Sequence, residues 1–156
     1  MSKLSVRRST AIHEAGHAVA AIALRRRFLS VTIEPEGDSL GHVRITPPKS
    51  DAGFNSHFDH LVRLLAGVQA EWSFGYRPRH IGASADRSAA LDHADAISGD
   101  SDEARLWVRL ATIRSRSLVE LWRPSIEALA DQLMEVGTIK LEEARRVALQ
   151  ARGVRL

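Results

Sequence analysis

The chain has 156 residues, a length that fits one folded domain with a sizeable core and is too short for a second catalytic module. It contains no cysteine, so disulfides and thiolate metal sites are excluded and any metal must be held by histidine and carboxylate ligands. The formal net charge of +3 is only a weak indication of nucleic-acid binding, and no apolar stretch approaches the length of a membrane span. We therefore expect a cytoplasmic protein with a single domain over residues 1–156, a frayed segment at 1–8, no membrane segment and no nucleic-acid partner.

The pattern H-E-x-x-H is present as His13-Glu14-Ala15-Gly16-His17, inside an apolar run over residues 11–24. Residues four apart lie on one face of a helix, with Cβ atoms about 5–6 Å apart, so both imidazoles can reach one metal ion. The Glu14 carboxylate would lie beside that ion, where it can accept a proton from an activated water. The alternative is an amphipathic helix that carries two histidines for no functional reason.

The other elements are predicted from periodicity and from start and stop signals. The helix that carries the H-E-x-x-H pattern, which we call the metal helix, is expected to run from a cap at Ser9 or Thr10 to about Arg27. Three arginines would then stand in its last turn, where they either stabilise the helix end or bind an anion. Alternating residues at 28–34 and 40–46 predict a β-hairpin around a turn at 35–39. Its edge can pair with an extended peptide, or the hairpin can simply pack against the metal helix.

Two helices are then expected at 57–74 and 84–97. A long helix should start at 101 and be broken or kinked by Pro124, and the helix that continues from there should end at Gly137. A last helix is expected at 141–151. Apolar residues at helical spacing predict two buried stripes. On the second helix these are Phe58, Leu61, Leu65, Val68 and Trp72, and on the long helix Leu106, Leu110, Ile113, Leu118 and Leu121. His57 and His60 are expected at the surface.

Three more side chains are candidates for the site. Asp86 would stand in the first turn of a helix capped by Ser84, a setting that stabilises an ionised carboxylate and suits a third metal ligand. His93 lies two turns further along the same face, as a rival ligand or as a group that contacts a ligand from behind. Glu71 lies beside a core stripe and needs a partner, which is either the outer nitrogen of a metal-bound histidine or a basic group at the core edge.

Several short stretches occur in an order and at a spacing that are typical of one protein family. They read STAIHEAGHA at 9–18, VTIEP at 31–35, LG at 40–41, LAG at 65–67, AE at 70–71, GASAD at 82–86, IEALA at 126–130 and TI at 138–139. With them the chain resembles the protease domain of FtsH, a membrane-anchored, ATP-dependent zinc protease.

The resemblance implies that His13, His17 and Asp86 hold Zn²⁺, that Glu14 is the catalytic glutamate, and that Glu71 supports a histidine from behind. It also implies a mainly α (α+β) fold, a helical FtsH-type peptidase domain with a small β-hairpin packed beside the H-E-x-x-H helix. The expected function is that of a zinc metalloendopeptidase acting on unfolded or flexible protein segments. The alternative is a catalytically silent zinc-binding relative that binds a partner or a substrate.

The chain departs from the family pattern at several places. It has no ATPase module, so the need for a separate ATPase or for a homo-oligomer stays open. Trp72 stands where the family has its second glutamate, and His93 stands at a leucine-like position. The segment before the long helix is reduced to Gly99-Asp100.

Overall fold

The computed structural model describes residues 3–36, 40–78 and 80–153. Its elements in chain order are α1 (Lys3–Ala23), β1 (Phe28–Thr32), β2 (His42–Ile45), α2 (Phe54–Ser73), α3 (His80–Ser98), α4 (Ser101–Leu121), α5 (Arg123–Val136), β3 (Thr138–Lys140) and α6 (Leu141–Gln150). The chain is therefore mainly helical with one small sheet, which confirms the predicted fold class. Within the described ranges, no helix combines the length and the apolar character that crossing a membrane requires.

Helix α1 is the central element, and it packs against α2, α5 and β1. Its Ile12 and Val19 side chains are fully buried in the core. Gly16 allows α2 to approach closely, because a Cβ there would lie 2.7 Å from Cβ of Ala70 and 2.8 Å from the carbonyl oxygen of Ala66. The small residues of the metal helix therefore bring its histidines directly against α2.

The predicted hairpin is confirmed, and β1 pairs with β2 in the antiparallel sense, with Val31 opposite Val43. Residues 37–39 of its expected turn lie outside the described residues. A third strand, β3, was not predicted, and it pairs with the other edge of β1, with Ile139 opposite Val31. Three residues directly after the helix-ending Gly137 are too few to produce an alternating pattern, which is why the sequence gives no strand signal there.

The metal helix begins earlier than expected, at Lys3, so the prediction of a frayed segment is wrong for residues 3–8. Ion pairs hold this first part of α1, from Arg7 to Glu34 at 2.9 Å and from Arg8 to Asp131 at 2.6 Å. Ser9 is buried inside the helix and does not cap it.

The expected end of the metal helix is also wrong. Helix α1 ends at Ala23, and Arg25 has a φ of 55°, so the three arginines follow the helix instead of forming its last turn. Their charges therefore lie in the connection to β1, although the amides of Arg25 and Arg26 still donate to carbonyl oxygens at the end of α1.

The third helix also begins before its expected cap. Helix α3 starts at His80, so Ser84 is not an N-cap and Asp86 lies in the second turn. Alanines at 83, 85, 89 and 90 favour helix on both sides of Ser84, and this outweighs the modest preference of serine for a cap position.

The predicted buried stripe of α4 is mostly wrong, because only Leu118 of that set is buried. The other four members are 52% to 65% exposed, namely Leu106, Leu110, Ile113 and Leu121. The helix buries a neighbouring stripe instead, made of Ala104, Val108, Ala111, Ser115, Leu118 and Val119. Its small residues let α4 pack closely against α2, whereas periodicity alone favours the larger side chains.

Trp72, also expected in the core, is 59% exposed. Helix α2 begins at Phe54, three residues before its expected start, and the remaining boundaries agree with the predictions to within two residues. Helix α4 ends at Leu121 with Pro124 in the first turn of α5, Gly137 with a φ of 76° ends α5, and α6 covers the predicted last helix.

Candidate metal centre

Three ligand atoms from α1 and α3 converge at one point. Asp86 Oδ2 lies 3.0 Å from His13 Nε2 and 3.3 Å from His17 Nε2, and the two Nε2 atoms are 3.0 Å apart. Ligands bound tetrahedrally to zinc at about 2.0–2.1 Å stand about 3.3 Å from one another. The spacing of the three atoms therefore fits one zinc ion.

The outer nitrogens of both histidines show which way the lone pairs face. His17 Nδ1 lies 2.7 Å from the carbonyl oxygen of Arg63, which can only accept, so Nδ1 carries the proton. His13 Nδ1 lies 2.9 Å from Glu71 Oε2 and donates to it in the same way. In the neutral rings both Nε2 atoms then present lone pairs toward Asp86, whose buried Oδ2 has no hydrogen-bond partner among the described residues. Three lone-pair atoms that face one another require a cation between them, and this donor set fits zinc.

Gly67 on α2 leaves the space beside these atoms open. A Cβ at this position would lie 2.5 Å from His17 Nε2 and 2.7 Å from His13 Nε2. Any larger residue would therefore collide with both histidine rings.

Glu71 contacts the site from behind. Its side chain is buried, and its second oxygen, Oε1, accepts a hydrogen bond of 2.8 Å from Ser9 Oγ. Of the two partners considered for Glu71 from the sequence, the structure shows the outer nitrogen of a site histidine.

Charges within the site shift several pKa values. Burial lowers the pKa of His13, but the nearby carboxylates of Asp86 and Glu71 outweigh this and raise it to about 10. Burial favours the neutral form of Asp86, yet both histidines hold its pKa well below the ordinary value. The carboxylates of Asp86 and Glu71 thus stabilise a positive charge at this point, as a cation-binding site should.

Glu14 lies next to this group and is 6% exposed. Burial raises the pKa of its carboxyl, and the positive charge of His13 and His17 offsets this only in part. A Cβ on Gly41 would lie 3.0 Å from Glu14 Cγ, so the start of the second hairpin strand passes directly over this glutamate.

His93 lies in a different cluster. Its Nε2 is 3.1 Å from His57 Nδ1, and its ring centroid is 4.6 Å from that of His60. His57 and His60 are 2% and 6% exposed, so their predicted surface placement is wrong. Among the described residues, the side chains whose ligand atoms lie close enough together to hold one metal ion are those of His13, His17 and Asp86, and His93 does not belong to this group.

The histidine cluster includes a buried cation, since Arg63 Nη2 donates to His60 Nδ1 at 2.9 Å. Burial, together with Arg63 and the other two histidines, lowers the pKa of His60 to about 3. The sequence carried a signal for this cluster in the polar residues at 57, 60 and 63, which recur every three positions on one side of α2.

Comparison with known proteins identifies the class. Residues 1–98 match the model of peptidase family M41, so the chain belongs to this family of zinc metalloproteases. The resemblance to the FtsH protease domain is thereby confirmed.

Two relatives illustrate the match. The chain is 31% identical over 155 residues to the ATP-dependent zinc metalloprotease FtsH 1 of Symbiobacterium thermophilum, over 80% of this chain and 26% of that protein. It is 28% identical over 171 residues to the ATP-dependent zinc metalloprotease FTSH 11, chloroplastic/mitochondrial, of Arabidopsis thaliana, over 90% of this chain and 21% of that protein. The chain therefore spans about a quarter of the length of these relatives.

Proposed function

We propose that this chain is a zinc-dependent metalloendopeptidase that hydrolyses peptide bonds in unfolded or flexible protein segments. The observation that carries the proposal is the convergence of His13 Nε2, His17 Nε2 and Asp86 Oδ2 at 3.0–3.3 Å, with the buried Glu14 beside them. Membership of family M41 supports the same chemistry.

His13, His17 and Asp86 would hold the zinc, while Glu71 and the Arg63 carbonyl keep both rings in the required tautomer. When bound, zinc supplies Lewis-acid chemistry, which makes water a better nucleophile and polarises the scissile carbonyl. The Glu14 carboxylate takes the proton from the attacking water and then gives it to the leaving amine nitrogen. Its raised pKa suits the first transfer, because it makes the carboxylate a better proton acceptor.

The outer edge of β2 supports the choice of an extended substrate. In the sheet order β2-β1-β3, β2 is an outer strand among the described residues. Gly41, just before β2, packs over Glu14, so a peptide that added to this edge would pass the catalytic carboxylate in an extended conformation. Folded proteins do not offer such a segment, and the names of the relatives suggest an ATPase, separate or in a homo-oligomer, as the partner that would supply it.

The test is hydrolysis of an unfolded, fluorescently labelled casein by the zinc-loaded protein. Glu14→Gln should lower turnover by about 10²–10⁴-fold while zinc stoichiometry stays unchanged. Glu127→Gln, an exposed glutamate on α5, is the matched control and should be fully active. Equal turnover in Glu14→Gln would refute the mechanism. Zinc binding without any turnover in the unmodified chain would favour a silent, partner-binding relative.

A further inference from the structure

A basic cavity of about 400 Å³ lies between the end of α1, the segment after β2 and the start of α2. Its size is that of a site for a small ligand. Neither the metal-ligand candidates nor Glu14 line it. We refer to it as the basic cavity because its lining includes Arg26, Arg27, Lys49 and Arg63, whereas Asp51 is the one acidic residue among the described lining residues.

Arg63 is the unusual member of this lining. It is only 3% exposed, it donates to the neutral His60, and its Nε has no partner among the described residues. A buried guanidinium without a carboxylate is costly, so such a charge normally has an anionic partner.

The other cations leave the cavity with an excess of positive charge. Arg26 is already paired, with Nη2 at 2.7 Å from Asp59 Oδ2. Of the described carboxylates, none forms an ion pair with Arg27, Lys49 or Arg63, so these three positive charges are opposed only by Asp51 in the lining and by Asp59, which Arg26 already engages.

The start of α2 adds a second attraction for negative charge. Its N-cap is Gly53, which has no side chain to accept from the first-turn amides, and a Cβ there would meet nothing within 4 Å. Ala52, just before this N-cap, and Ser56, in the first turn of the helix, line the cavity. The positive end of a helix of 20 residues therefore points into open space beside the arginines.

We propose that the basic cavity binds an oxyanion, a phosphate or a carboxylate group, with Arg63 as the buried anchor. Arg27, Lys49 and the amides of Phe54 and Asn55 at the start of α2 complete the site, since the Ser56 amide already donates to the Gly53 carbonyl oxygen. The planar guanidinium of Arg63 suits two parallel hydrogen bonds to such a group. Anion binding at this site does not depend on peptide hydrolysis. Arg63 nevertheless connects the basic cavity to the metal centre, because its carbonyl oxygen accepts a hydrogen bond from His17 Nδ1.

The first experiment is calorimetric titration of the zinc-loaded chain with inorganic phosphate at constant ionic strength. Lys49→Met, at an exposed position that tolerates substitution, and Arg63→Met should each weaken phosphate binding by about tenfold or more. Arg109→Met removes the same charge from α4, outside the cavity, and should leave the Kd within about twofold. Equal weakening by Arg109→Met and Lys49→Met would show only a general charge effect and would overturn the proposal.

A second titration distinguishes the two sources of the oxyanion. The probes are acetyl-Gly-Asp-Gly-amide and acetyl-Gly-Asn-Gly-amide, which differ only in a carboxylate. Binding of the first alone, lost in Lys49→Met, assigns the site to acidic side chains of polypeptides, and binding of phosphate alone assigns it to phosphate. If neither phosphate nor the acidic peptide binds, the proposal is wrong.

Discussion

Glu71 Oε2 lies 2.9 Å from His13 Nδ1, and this contact determines which nitrogen of His13 faces Asp86. The other oxygen of Glu71 holds Ser9, one turn earlier on α1. One buried carboxylate on α2 therefore fixes both the position of the metal helix and the orientation of its first histidine. This double role makes Glu71 a sensitive position even though it lies behind the proposed ligands.

Replacing Glu71 with glutamine should weaken zinc binding by about 10- to 100-fold, because the amide can still accept from Nδ1 but no longer makes the ring more basic. Competition with a fluorescent chelator measures the affinity. Glu127→Gln, which removes the same charge from the surface of α5, should bind zinc normally. An unchanged affinity in Glu71→Gln would show that the contact is only structural.

The choice between Asp86 and His93 as third ligand can be made by thermal unfolding. Zinc that binds only the folded chain should stabilise it by about 2.7 kcal/mol at a free concentration of 100 times Kd. Asp86→Asn should lose most of this zinc-dependent rise in Tm, whereas His93→Leu should keep it. Chelation should abolish the rise in the unmodified chain, and the opposite order of the two variants would make His93 the ligand.

Stability should decrease in mild acid because of His60. Burial and the neighbouring charges lower its pKa in the fold to about 3, from an ordinary 6.5. Between these values the unfolded chain binds a proton that the folded chain does not, so the free energy of unfolding falls as the pH falls, by up to about 1.4 kcal/mol per pH unit from this group.

Urea unfolding at about pH 7 and about pH 5 measures this decrease. His60→Gln cannot take up the proton and should lose less stability between the two pH values. His42→Gln, on β2, should behave like the unmodified chain. An equal loss in His60→Gln would assign the acid sensitivity to other groups.

Two leucines on α4 test which face of this helix is buried. Leu118 is 7% exposed and Leu110 is 55% exposed. Leu118→Ala should lower the free energy of unfolding by about 2–5 kcal/mol, and Leu110→Ala by about 0.5 kcal/mol or less. Chemical denaturation of both variants measures the difference. Equal losses would mean that the exposed leucines are covered in solution.

The elements that could be predicted from the sequence depend on local signals. The H-E-x-x-H spacing, the alternation around the hairpin, Pro124 and Gly137 each act within a few residues of where they stand. Asp86 could be proposed as a ligand from its expected place in the first turn of a helix and from the family resemblance, but not from spacing, because its distance along the chain from the histidines has no fixed value. The structure brings it to both histidines from the second turn of α3, where no capping signal applies.

The features that were missed depend on distant partners. The burial of His57 and His60 follows from contacts with His93 on another helix. Strand β3 exists only because β1 offers it a hydrogen-bonding edge, and the buried face of α4 follows from how closely small residues allow α2 to approach. None of these partners is visible in a local window of sequence.

The pairing of β1 with β3 also has a consequence for the growing chain. Thr32 and Thr138 meet through their hydroxyl groups at 2.6 Å although 106 residues separate them. Until Thr138 has emerged from the ribosome, one edge of β1 lacks its partner strand β3, and an unpaired strand edge is prone to pair with other chains. We expect translation to pass through an interval in which the helices that carry the proposed zinc ligands have emerged but the sheet remains open to aggregation, so that chaperone protection matters most until the segment that forms β3 appears.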